Sequence, residues 1–407
     1  MRISLLLQRE PFGEILENTL SPFLSAWTGE CQTVSWHKKN ILQRHLCGQR
    51  WLCNPYLNSI FLPQAHTYIF RPLKNEFGRS GYWWRRPAQR AYVFLATHSF
   101  TTSWFSPFIV TISPGLDRAK DLLILGGNHH IRLLDPTAGK SYVIKKSNSD
   151  FHLMENEISL RTQPFIEDLP VPTLCEIAPD NSWYSESYIN GIPLNRLADT
   201  SKVRWAGTEA VRVLGLLAER TSLEELVMPY VESLVNRIKL GIRSLHVLSP
   251  MLKSELSNQI DRLFFIAHSL KKSAGHRFVT CQAHGDLQDG NILFDLDRIW
   301  LIDWEHTTRR QVGYDTLVYS TSARHPRGLA GRISKVLNVN AHFILDKWDD
   351  FTRATRSQRR LKLAIFALEE IDFHISENCE SMLTCVSPGL LCFLEELPEI
   401  ARLLHDS

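Results

Sequence analysis

Apolar and polar residues alternate with different periods along this 407-residue chain, and the period changes at about residue 120 and again near 200. Residues 1–115 are rich in aromatics and arginine and show no long helical period. WRRPAQRAYVFLATHSF reads as a strand after a proline-containing turn, and PFIVTISPG as another strand. Residues 1–118 are therefore expected to form a front module of mixed or mainly β character. From Asp121 the runs shorten. LLILGGNHHIRLLDPTAGKSYVIKK holds three β-type runs separated by Gly126-Gly127-Asn128 and by Asp135 to Gly139. Gly-Gly-Asn supplies positive φ, and Asp-Pro followed by Gly is a turn signal, so three sequential antiparallel strands are predicted. HLMENEISLRTQPF follows as a short amphipathic helix on Leu153, Ile158 and Leu160, and WYSESYINGIPL as a strand leaving through a loop.

Residues 201–275 change to helical spacing: Ala210, Val213, Leu214 and Leu217 share one face, as do Val231, Leu234, Val235 and Ile238. Leu256, Ile260, Leu263, Phe264 and Ala267 form a third stripe, and Ser222 with Glu225 fits a capping box. QAHGDLQDGNILFDLDRIWLIDWE, Gln282 to Glu305, interrupts the helices with two short strands, NILF and WLID, around the turn DLDRI. Helical patterns return from about Asn340.

Composition narrows the class. The net charge of +3 does not imply nucleic acid, although residues 1–110 carry 12 Lys and Arg against 5 Asp and Glu. Of the 8 cysteines no pair has CxxC spacing, and no histidine cluster accompanies them, so reduced and mostly buried thiols of a cytosolic protein are expected. No signal peptide is read at the start, since Arg9 and Glu10 follow only a short apolar run. The charge-free stretches 51–70 and 91–116 contain prolines and many polar residues, and read as sheet and loop rather than membrane helix.

The hairpin carries the candidate chemistry. If 293 pairs with 301, Asn291 comes beside Asp303, and Asp286 enters on the preceding loop. An amide oxygen and a carboxylate are hard ligands suited to Mg2+. A second carboxylate could accept a proton from a hydroxyl nucleophile.

HxDxxxxN, a hairpin and then Asp resembles the catalytic loop and metal-binding Asp of the protein-kinase-like superfamily. HGDLxxGNIL…IDWE resembles the aminoglycoside phosphotransferase and choline kinase-like branch, whose members phosphorylate small molecules. The resemblance covers about Asp121 onward and is sharpest at 284–305. It implies a bilobal α+β fold: a small antiparallel sheet lobe at 119–190 and a helical lobe at 191–407, with the mixed or β module in front. It implies that Asp286 is the catalytic base, that His284 braces the loop, and that Asn291 and Asp303 hold Mg2+. It further implies that Lys145, ending YVIK, meets the phosphates of ATP, with Glu157, or else Glu155, as its partner. Gly126 and Gly127 mark the phosphate turn, although no GxGxxG is present. Backbone groups from Glu186 through Tyr188 to Ile189 would meet the adenine. Asp315 stands either for the family's structural Asp or for a helix N-cap.

Gln288 and Gly285 replace the lysine and arginine of protein kinases, and no APE-like motif follows Asp303, which argues against a protein kinase; the small-molecule acceptor that the resemblance implies stays open among a sugar, an amino alcohol and an aminoglycoside-like compound. The alternative is a nucleotide-binding pseudokinase or scaffold acting through its front module; retention of Lys145, Asp286, Asn291 and Asp303 favours the enzyme. Glu369, Glu370, Asp372, Glu377 and Glu380 read as a solvated helix face, or else as a substrate cleft for cationic amines. GRSGYWWRRPAQR sets Arg79, Arg85, Arg86 and Arg90 among Tyr82, Trp83 and Trp84. The preferred expectation is that these tryptophans are core. The other is an anionic membrane surface or glycan as partner, which would place a cytoplasmic protein at the membrane periphery.

Overall fold

The computed structural model describes residues 2–39, 48–79, 82–149, 153–338, 351 and 353–406. Part of the helical region expected from Asn340, and Cys47, lie outside them. The chain divides into two compact units, one of Met1–Asp150, Pro170–Val203 and Leu293–Ile302, the other of Phe151–Leu169, Arg204–Ile292 and Asp303–Ser407.

The first unit is built on an antiparallel sheet. Its strands are β1 (Thr33–Lys38), β2 (Gln49–Asn54), β3 (Ser59–Phe61), β4 (Phe108–Ser113), β5 (Leu123–Leu125), β6 (His130–Asp135), β7 (Lys140–Lys145), β8 (Leu174–Ile177) and β9 (Trp183–Ser187), in the order β1-β4-β2-β3-β5-β6-β7-β9-β8. The three strands expected after Asp121 are β5, β6 and β7. The boundary expected at 118 falls inside this sheet, because Ser59 and Ile60 of β3 pair with Leu125 and Ile124 of β5. A pairing across more than sixty residues leaves no local trace in the pattern.

Helices cover both faces of the sheet. Successive strand residues point to opposite sides, so Leu133 joins one cluster and Leu134 the other. Helices α1 (Ile3–Arg9) and α2 (Phe12–Thr28) bury Leu6, Phe12, Leu16, Leu20 and Phe23 against Trp51, Ile131, Tyr142 and Ile144. Pro11, Gly13 and Pro22 punctuate this segment as breakers, which hides its helical period. On the other face lie α3 (Arg71–Phe77) and α4 (Arg86–Thr97). The strand expected at WRRPAQRAYVFLATHSF is thus α4, with Pro87 in its first turn, where a missing N–H costs nothing.

The second unit is helical: α5 (Leu153–Arg161), α6 (Thr200–Thr221), α7 (Val227–Ser244), α8 (Pro250–Ala274), α9 (Tyr314–Ser320), α10 (Leu329–Leu337), α11 (Arg356–Ser376) and α12 (Pro388–Asp406). A small sheet joins Leu223–Leu226, Arg277–Ala283 and Thr308–Gln311. The capping box expected at Ser222 is not formed: a strand follows, and the Ser222 hydroxyl donates to Ala218 O at 2.6 Å. α11 packs on α7, α8 and α12, and is buried on most of its circumference. Cys53, Cys281 and Cys379 are buried, but Cys31, Cys175 and Cys385 are exposed, fewer buried thiols than expected. No helix among the described residues is long and apolar enough to cross a membrane.

Candidate active site

Strand Arg277–Ala283 delivers the HGD loop, and the loop is held by groups far along the chain. The amides of His284 and Gly285 donate to the two oxygens of Asp315 at 2.8 and 2.9 Å. Asp315 therefore clamps the loop instead of capping α9. Burial pushes its carboxyl up, against the pull of His284 and the two amides. Gly285 has φ +88°, and a Cβ there would lie 2.1 Å from His306 O, so no other residue fits. His284 is fully buried against Trp304, ring centroids 4.5 Å apart, and the Asp286 amide donates to its Nδ1 at 3.3 Å. His284 thus lies inside the loop, its ring against Trp304 and its Nδ1 bonded to the loop's own backbone.

The Asp286 side chain is buried and its carboxylate oriented from three sides. Oδ2 accepts from Gln288 Nε2 at 2.7 Å and Asn291 Nδ2 at 2.9 Å; Oδ1 accepts from Arg324 Nε at 2.5 Å. Arg324 also donates to Gly285 O at 3.0 Å, pairs with Glu370, and lies 3.5 Å above the Phe373 ring. Tyr314 donates to Glu370 at 2.5 Å. Burial works against the charge on Glu370, yet Arg324 and His374 hold its carboxyl below the usual range. Burial in turn drives the His374 imidazole down to about 4. Sequence reasoning misses Arg324, Tyr314 and Glu370 as partners of this loop. No motif spacing marks them: Arg324 meets Asp286 directly, while Tyr314 and Glu370 join through Arg324 and Gly285 by the packing of α9 and α11.

Asn291 Nδ2 donates to both Asp286 O and Asp286 Oδ2, at 2.9 Å each, which leaves its Oδ1 as an acceptor for a ligand. The hairpin strands, Ile292–Asp295 and Arg298–Leu301, join through Leu296 and Asp297, both with positive φ. This turn is tighter than the five-residue DLDRI read from sequence. Asp303 leaves the second strand with φ +69°, a left-handed conformation that Asp tolerates better than most residues. An amide oxygen and a carboxylate in a bent backbone are a donor set that fits Mg2+.

In the sheet unit Lys145 ends β7, paired with His130 and half-buried. After the Ser182 hydrogen bonds, it helps hold the exposed Asp180 carboxyl below its usual range. Its neighbour Lys146 points to the opposite face, where its fully buried ammonium meets Glu10 at 2.5 Å. Glu186 pairs with Arg132 at 2.9 Å, and the Tyr188 amide donates to Gly139 O at 2.9 Å. Desolvation raises the Tyr188 phenol to about 12. Beyond them, Asn190 Oδ1 is enclosed without a hydrogen-bond partner. Gly126 packs on Ile3 and its carbonyl accepts from Asn58 at 2.7 Å, and Gly127 lies against His130 O; both are engaged in packing the sheet. Glu157, in the helical unit, is held by Arg161 at 2.9 Å.

The acidic cluster of α11 is not a solvated face. Glu369 and Glu370 are fully buried and Glu380 nearly so, while Asp372 pairs with Arg237 at 3.0 Å and Glu377 with His306 at 2.8 Å. Glu369 accepts from the Tyr230 hydroxyl, from the Gln311 amide and from Gln311 Nε2, at 2.6, 2.8 and 3.0 Å. Helical spacing alone could not reveal this, because α11 is surrounded by protein.

No protein-family model matches the chain, and no curated protein sequence does. Solved structures do. The chain is similar to small-molecule kinases. A thermostable mutant of aminoglycoside phosphotransferase APH(4)-Ia is 14% identical with TM-score 0.46, the match covering 69% of this chain and 94% of that one. A choline kinase from Cryptosporidium parvum Iowa II is 14% identical with TM-score 0.45, covering 68% and 87%. A Plasmodium vivax ethanolamine kinase is 12% identical with TM-score 0.43, covering 82% and 92%. Likeness this distant leaves activity and substrate to the chain's own residues.

Proposed function

We propose that this chain is an ATP-dependent phosphotransferase that passes the γ-phosphate to a hydroxyl of a small molecule: a sugar, an amino alcohol or an aminoglycoside-like compound. The observation that supports it is the oriented carboxylate of Asp286. Three of its roughly four acceptor positions are taken, by Gln288, Asn291 and Arg324. The position left on Oδ1 would receive the acceptor hydroxyl, align it and take its proton. Asn291 Oδ1 and Asp303 would hold Mg2+, which, when bound, offsets charge on the phosphoryl oxygens. Lys145 would hold the nucleotide phosphates, and Asn190 Oδ1 the base.

A metabolite-library phosphorylation screen with ATP identifies the acceptor. Asp286→Asn should then lower turnover by roughly 100-fold or more while keeping nucleotide affinity. Near wild-type turnover would remove Asp286 from the chemistry, and ATP binding without transfer to any acceptor would favour a scaffold. The two lysines separate positioning from stability. Lys145→Ala should impair turnover in a folded protein. Lys146→Ala should cost about 3–5 kcal/mol of stability, because it removes the ammonium that meets the buried Glu10 carboxylate. Equal kinetic and stability effects from both variants would mean that the strand faces are misassigned.

A further inference from the structure

The outward side of α4 has the wrong polarity for a surface that meets only water. At 100° per residue, Pro87, Ala88, Arg90, Ala91, Phe94 and Leu95 fall on one arc of roughly 160°, and all of them are exposed. The opposite arc carries Val93 and Ala96 into the sheet unit's core. The turns at either end extend the apolar arc. Trp83 and Trp84 precede the helix at 78% and 58% exposure, and Phe100 and Trp104 follow it at 84% and 81%. Phe94, His98 and Phe100 lie ring to ring in series at tilted angles, with centroids 5.4 and 5.7 Å apart. The sequence alone favoured Trp83 and Trp84 as core; both are instead exposed. The fold does not use them, so their exposure calls for an occupant.

Charge indicates which occupant. Between Glu76 and Asp117 the chain has four arginines and no Asp or Glu. Arg85 lies 5.1 and 4.6 Å over the rings of Tyr82 and Trp84, so cation and aromatic surface form one patch. A second copy of this chain would bring like charges together. Indoles with one polar edge, phenyl rings and arginines together match the headgroup layer of an anionic bilayer, where rings seat at the interface and guanidinium groups reach phosphates.

We propose that the outward face of α4 and its flanking turns dock the protein on an anionic membrane surface, as a peripheral attachment that places the phosphotransferase beside membrane-borne substrates. The test uses the full chain with phosphatidylcholine vesicles with or without about one third phosphatidylglycerol. The chain should float with the anionic vesicles at low salt, fail to float with pure phosphatidylcholine, and release at about 0.5 M NaCl. Arg85→Glu with Arg90→Glu should weaken binding by roughly tenfold or more. Phe94→Ser with Phe100→Ser and Trp104→Ser should abolish it, with melting temperatures unchanged for both variants. Absence of flotation at low salt overturns the proposal, as does flotation indifferent to either variant. Dimerisation in solution that the aromatic variant removes assigns the face to a second copy and also overturns it. A large fall in melting temperature assigns the face to internal packing and overturns it too.

Discussion

The loop around Asp286 and the outward face of α4 are opposite solutions to the placement of costly side chains. Around Asp286, two carboxylates, a guanidinium, a phenol and an amide are buried together, and each is answered by a neighbour. On α4, rings that would gain most from burial are left in water. A buried polar network is costly unless complete, and completeness fixes geometry. An exposed aromatic face gives the monomer nothing, and retains its free energy for association. The first arrangement suits chemistry that needs a fixed carboxylate. The second suits attachment.

The comparison breaks if the buried network is less tightly coupled than its geometry implies. Arg324→Ala leaves Glu370 and Asp286 facing each other's field without a cation, at a site where both carboxylates are nearly inaccessible. The expected loss is about 3–5 kcal/mol, read from urea unfolding, together with a fall in turnover. Arg324→Lys should recover part of the stability but less of the turnover, because an ammonium cannot meet Asp286, Glu370 and Gly285 at once. A loss below about 1 kcal/mol would show the network to be solvated and loose.

A second test reads the same region through pH. Burial raises the Glu369 carboxyl to about 7, against Arg310, Tyr230 and Gln311. Its folded pKa therefore lies above its unfolded value, so its favourable contribution is full below about 4.5 and is lost as pH rises to about 7. His374, depressed to about 4, has the opposite sign: its contribution is lost as pH falls from 6.5 towards 4. The two slopes oppose in wild type, so the informative quantity is a difference. The stability of Glu369→Gln minus wild type should grow by about 3 kcal/mol between pH 4.5 and 7. A flat difference would mean that Glu369 is ionised in the folded protein throughout.

What could be read in advance follows from the range of the interactions. His284, Asp286 and Asn291 lie within eight residues and form one loop, so a motif captures their arrangement. β5, β6 and β7 follow one another and show their alternation directly. Arg324 reaches Asp286 across 38 residues of chain and Glu370 reaches Arg324 across 46, and only tertiary packing brings them there. The same applies to β3 on β5, which merges the supposed front module into one sheet. The misreading of α4 has a local cause. YVFLA is a good strand by composition, and Pro87 reads as a turn residue although it starts a helix.

The smallest expected effect separates the two regions most sharply, because it lies on a single helix. Val93 and Phe94 are neighbours, one 2% and the other 60% exposed. Val93→Ser removes methyl groups from the cluster with Phe61, Phe70 and Leu73 and buries a hydroxyl there, so it should cost roughly 2 kcal/mol. Phe94→Ser deletes a far larger apolar group and should change stability by less than about 0.5 kcal/mol, because most of its ring meets water in the folded chain as it does in the unfolded one. Thermal or urea unfolding of the two variants under one buffer decides it. If Phe94→Ser costs as much as Val93→Ser, the ring packs within the protein and α4 has no free face to offer a bilayer. If it costs nothing, unchanged stability after loss of so large a ring places the function of Phe94 outside the monomer.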